Sequence, residues 1–158
     1  FESDGTMGLD ARVLYYFNAG GVTPAMAVSR AGAGSDYALA VLDGNKQVFD
    51  GSKTYKLHLP PNVPVNDFWA VTLYDTQTRS QLQTSQKFPT LGSQSEGIQK
   101  NADGSYDLYF GPKPPAGKTG NWLETVPGKS WFTILRMYGP LEPWINKTWR
   151  PSGIELVK

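Results

Sequence analysis

Apolar and polar positions alternate along much of the chain, in short runs broken by turn residues. In residues 55–59 (YKLHL) the apolar side chains fall at 55, 57 and 59, with Lys56 and His58 between them. That period of two predicts a strand with one buried and one wet face. The same reading predicts strands over 36–42, 47–49, 54–59, 67–74, 98–100, 106–110, 130–138 and 154–157. Asp43-Gly44-Asn45, Asp50-Gly51, Pro60-Pro61 and Asn101-Ala102-Asp103-Gly104 supply turns between them. The last turn should join 98–100 to 106–110 as a hairpin. Short strands with frequent turns predict an all-β sandwich or barrel.

The first thirty residues read differently. Leu9, Val13, Tyr16 and Phe17 lie at helical spacing and Gly20-Gly21 would stop that helix. Thr23 then suits an N-cap with Pro24 at the first helical position. AGAG at 31–34 separates this helical lead-in, residues 1–30, from a β domain over 31–158.

Two predicted strands break the one-sided rule. In 68–74 the set Trp69, Val71, Leu73 backs onto Phe68, Ala70, Tyr74; in 131–138 the set Trp131, Thr133, Leu135, Met137 backs onto Phe132, Ile134, Tyr138. A sandwich strand needs only one apolar face. The second face calls for a cover: the N-terminal helices, another domain or a sister subunit.

Composition narrows the chemistry. The 158 residues include no Cys and one His, which excludes disulfides, zinc fingers, iron–sulfur ligation, a cysteine nucleophile and any multi-histidine metal site. A net charge of +1 gives no bulk attraction to nucleic acid or acidic membranes. With 5 Trp, 8 Tyr and 7 Phe the chain is far from the composition of disordered proteins. No apolar run approaches the roughly 20 residues of a transmembrane helix. No cofactor is expected. GPKPPAGKTG (111–120) contains a GKT, but it has five residues between Gly111 and Gly117 where a phosphate loop has four. Its prolines also lack the N–H groups a phosphate needs. Asn101, Asp103, Ser105 and Asp107 resemble a calcium loop only faintly, without its acidic first position or distal Glu. His58 reads as a surface histidine on a wet strand face.

Several blocks are similar to domain of unknown function 1214: FWAVTLYDTQTRS (68–80), LGS (91–93), residues 100–140 from KNADGSYDLYFG to TILRMYGP, and the closing Trp149, Pro151, Ile154 and Glu155. The upstream GLDARVLYYFNAGGVTPAMAV resembles the helical stretch before that domain in bacterial proteins that also carry domain of unknown function 1254. The resemblance implies a jelly-roll-like antiparallel β-sandwich forming the C-terminal part of a longer protein, often exported to the cell envelope, hence periplasmic or secreted. It implies no agreed catalytic residues.

Candidate ligand-binding residues are polar or aromatic positions inside those blocks: Tyr74, Asp75, Arg79, Asn121, Trp122, Arg136, Tyr138 and Glu142. Arg136 interrupts an apolar strand, and an arginine in such surroundings needs a carboxylate partner or a ligand anion. Asp75 and Glu142 are the natural partners, and a buried ion pair is the expectation. Trp122, next to Asn121, either stacks on a sugar ring or plugs the end of the sandwich. Trp144 and Trp149 should anchor the C-terminal stretch. The function expected is non-catalytic: recognition of a ligand such as a saccharide, or assembly with the preceding domain or a second copy. The alternative is a hydrolase whose active site lies against the preceding domain.

Overall fold

The computed structural model describes residues 28–157. The helical lead-in expected over 9–17 and 24–30 therefore lies almost wholly outside the described residues. The rest is a mainly β sandwich. One sheet contains β1 (Ser35–Ala40), β8 (Ser130–Tyr138), β4 (Trp69–Asp75) and β5 (Thr90–Gly92) in that order, with β2 (Phe49–Asp50) continuing along β8 beyond β1. The other contains β7 (Trp122–Glu124), β6 (Tyr106–Gly111), β3 (Tyr55–Leu59) and β9 (Ile154–Leu156). All pairings are antiparallel except β6 with β7, which run parallel. A helix of one turn, α1 (Glu142–Ile145), follows β8.

The core lies between the sheets and is aromatic. Phe49 stacks on Trp131 with ring centroids 4.2 Å apart, and Tyr55 meets both rings edge-on. Trp69 meets Tyr106 edge-on in the same layer. Such contacts add about 0.5–1.5 kcal/mol each beyond area burial. On β3 the burial pattern alternates strictly, with Tyr55, Leu57 and Leu59 inside and Lys56 and His58 half-buried. Trp144 donates to Asp36 Oδ2 at 2.9 Å and Trp149 to the carbonyl of Pro61 at 3.1 Å, tying the C-terminal stretch to the sandwich.

The expected hairpin through Asn101–Gly104 is half right. The turn exists: Asn101 N–H donates to Ser105 C=O at 2.8 Å, and Asp103 Oδ1 accepts from Ser105 N–H at 2.9 Å. Residues 98–100 form no strand. Gln99 bonds instead to the side chain of Asn121, and β6 is flanked by β3 and β7. That Asn–Gln clamp occupies the groups a hairpin partner would have used.

Candidate functional site

The first sheet has an outer face built by strand alternation. With Trp131, Leu135, Met137, Val71 and Leu73 turned into the core, their neighbours must face outward. The registers Tyr37↔Arg136↔Ala70, Leu39↔Ile134↔Thr72 and Phe132↔Tyr74 set these residues in rows across β1, β8 and β4. Phe68 stacks on Tyr138 with centroids 4.1 Å apart, and Tyr74 stacks on Phe132 at 5.1 Å. Between the two stacks lies Arg136. No described element covers this face. The rings partly bury one another instead, which answers in part the need for a cover seen in the sequence.

Arg136 is the centre of the arrangement. Its Nη2 donates to Tyr74 Oη at 2.8 Å, and its guanidinium carbon sits 5.6 Å from the centroid of the Tyr37 ring. Its Nε is buried and has no hydrogen-bond partner. The neighbouring Tyr138 hydroxyl, foremost, raises its pKa against the opposing effect of burial, although the bond of good geometry is the one to Tyr74. A guanidinium is in any case charged at all working pH values.

The ion pair expected for Arg136 is not found: among the described residues neither Asp75 nor Glu142 pairs with it. Asp75 is the inward-facing last residue of β4, on the opposite side of the strand from Tyr74, and its partner is Lys129 at 2.9 Å. The Lys129 ammonium, then the N–H groups of Gln77 and Thr78, hold its pKa down at about 2. Glu142 is exposed at the start of α1. Arg79 closes the turn after β4 in a left-handed conformation, φ 63°, and lays its guanidinium 5.7 Å from the Phe132 centroid. It too lacks a carboxylate partner among the described residues.

The eight candidates therefore divide, with Glu142 standing apart, exposed on α1. Tyr74, Arg79, Arg136 and Tyr138 share the outer face; Asp75 braces the turn beside it. Asn121 and Trp122 belong to the other sheet. Asn121 is 2% exposed and accepts from Gln99 N–H while donating to the carbonyls of Gln99 and Asp107. Trp122 is half-buried and donates to Gly111 C=O at 2.8 Å, so its indole N–H serves the sandwich edge. His58 pairs with Asp107 at 2.7 Å on the wet face of β3. Burial works most strongly on the Asp107 carboxylate and pushes its pKa up, but the contacts with His58, Lys56 and Asn101 together outweigh it and keep the pKa low. Among the described residues no three of His, Asp and Glu converge as a metal site, and no helix is long and apolar enough to cross a membrane.

Sequence reasoning missed Tyr37 as a site residue. The signal was present in SDYALA: alternation puts Tyr37 and Leu39 on one face and the small Ala38 and Ala40 on the other. Tyr37 and Leu39 are 61% and 62% exposed.

The fold and this face define a β-sandwich domain with an arginine-centred aromatic surface. The family model described as Protein of unknown function (DUF1214) matches residues 34–142, and the chain belongs to that family. Among solved structures it is similar to the VPA0106 protein from Vibrio parahaemolyticus, with 23% identity and a TM-score of 0.69 over 98% of this chain and 36% of that one. It is also similar to an uncharacterised protein from Burkholderia cenocepacia, with 18% identity and a TM-score of 0.50 over 82% of this chain and 32% of that one. The chain thus spans about a third of the length of these solved proteins, and at such identities the likeness is one of fold. No curated protein matches it.

Proposed function

We propose that this domain is the C-terminal recognition part of a longer, exported envelope protein, and that its outer face binds an acidic, ring-shaped ligand of the saccharide class. Arg136 carries the reading. A buried guanidinium nitrogen without a partner, in a protein that offers it no carboxylate among the described residues, is complementary to an oxyanion supplied from outside. Tyr37, Phe68, Tyr74 and Tyr138 give flat surfaces on which a sugar ring can stack. Among the described residues this face carries aromatic rings and two arginines and no cluster of metal-ligating side chains, a chemistry suited to binding.

Calorimetric titration with uronate-bearing and neutral oligosaccharides tests it. Uronates should bind and neutral sugars bind more weakly, with Arg136→Gln losing tenfold or more for the uronates alone. Silence across the whole panel would sink the reading. A second reading, assembly, is favoured by one observation: the solved proteins are about three times as long as this chain. In it the same face seats the preceding domain of the protein.

A further inference from the structure

Away from that face, a cavity of about 380 Å³ opens between the two sheets on the side where β1 and β9 form their edges. Its walls are Ala38, Ala40, Val71 and Leu135 of the first sheet and Leu57 and Ile154 of the second. The space has a simple origin. Inward positions elsewhere in the sandwich carry Trp69, Trp131, Phe110 and leucines, whereas β1 turns only Asp36 and the small Ala38 and Ala40 inward. An apolar cavity of about 150 Å³ already stays dry and takes up benzene, so one more than twice that size has room for a ligand. It also falls in the ordinary range for small-molecule sites, about 300–1,000 Å³.

The polar groups at the walls are already engaged. Asp43 accepts from the N–H groups of Asn45 and Gln47, at 2.8 and 2.9 Å. Gly44 N–H donates across the gap to Ile154 C=O at 2.9 Å. Thr133 Oγ1 donates to Thr72 C=O, and Ser152 Oγ accepts from His58 N–H while donating to Gly153 C=O. An occupant therefore meets mainly the apolar side chains of Ala38, Ala40, Leu57, Val71, Leu135 and Ile154, which selects a hydrocarbon. The lining follows β1 from Ala38 to Ala40 and continues along the chain to Gly44, so the space is drawn out beside the strand edge. Leu42 and Val48, 44% and 65% exposed, pair as an isolated bridge beside this end of β1 and keep the approach apolar.

The geometry points to an alkyl-chain site between the sheets, separate from the arginine face, that takes one unbranched hydrocarbon chain such as that of a fatty alcohol or a lipid tail. The inference goes beyond the saccharide reading and stands without it. Fluorescence titration of the full chain with cis-parinaric acid, followed by displacement with 1-decanol, is the experiment. Wild-type protein should bind the fluorophore, and decanol should displace it. Ala40→Leu, which fills the slot, should weaken binding at least tenfold, while Arg136→Gln should bind as wild type does. Should Ala40→Leu not fold, nuclear Overhauser contacts from decanol methylenes to the methyl groups of Leu57, Leu135 and Ile154 decide the matter in the wild type. Absence of binding, undiminished binding by folded Ala40→Leu, loss of binding in Arg136→Gln, or decanol contacts elsewhere would each overturn the proposal.

Discussion

Single residues divide into those that hold the sandwich and those left over for recognition. Asp75 is of the first kind, and the depression of its pKa from 3.8 to about 2 has a definite consequence. A carboxyl more acidic folded than unfolded stabilises the protein above its unfolded pKa and stops doing so as pH falls through the folded one. The stability difference between wild type and Asp75→Asn should thus be flat from pH 7 to 5 and shrink between about pH 4 and 2. Urea unfolding at a series of pH values measures it, and a gap that persists at pH 2 would assign the effect to something other than the carboxylate. Asn121 makes a plainer case. It is buried with three hydrogen bonds to backbone groups, so Asn121→Ala should cost about 1–3 kcal/mol through the groups left unmatched. Neither role was legible in the sequence. Arg136 stood out as an arginine among apolar neighbours because local composition reveals such an anomaly. Its partner was misjudged because contact with Tyr74, across two strands and 62 positions apart in the chain, depends on sheet register.

At the scale of elements, alternation located β1, β3 and β6, and longer apolar runs bounded by turn residues located β4 and β8. Two strands and the one-turn α1 escaped the sequence reading. β5 and β7 have three residues each, too few to show a period, and both sit at sheet edges where pairing rather than pattern defines them. The error at 98–100 has the complementary cause, since IQK looks extended but its hydrogen bonds go to Asn121. What positions β7 is close backbone packing just before it. A Cβ on Gly120 would stand 1.9 Å from the carbonyl oxygen of Gly97, a distance that backbone must move to relieve. Gly120→Ala should therefore destabilise the fold by about 3 kcal/mol, the upper part of the usual cost of overpacking. Gly117→Ala on the same loop has open space around its Cβ and only a positive φ, 71°, to strain it. It should cost less, and chemical denaturation of the two variants side by side gives the comparison. Equal losses would mean that left-handed backbone strain, not the Gly97 contact, governs this loop.

For the whole molecule, the sandwich was readable because turn residues recur between short strands, and the mainly β class followed without any tertiary information. The excess of apolar surface was readable too, as second faces on two strands. Its resolution was not, because ring stacking between Phe68 and Tyr138, or Tyr74 and Phe132, joins residues 70 and 58 positions apart. What the stacking leaves open is concentrated at β1. This strand pairs only with β8 among the described residues, and it presents Tyr37 and Leu39 outward. An edge with free backbone groups and exposed apolar side chains tends to pair with another chain unless something guards it. Concentration-dependent self-association of the isolated chain is the expected result in sedimentation velocity. Leu39→Lys should suppress it, since a charge on an edge strand is an effective guard, while changing stability by no more than about 0.5 kcal/mol at so exposed a position. Adding the rest of a longer solved relative in the same polypeptide should have the same effect as the lysine if that part is what shields the edge. A wild-type chain that sediments as a monomer at every concentration would show that β1 is already guarded, and the apolar excess of the outer face would then be free for a ligand alone.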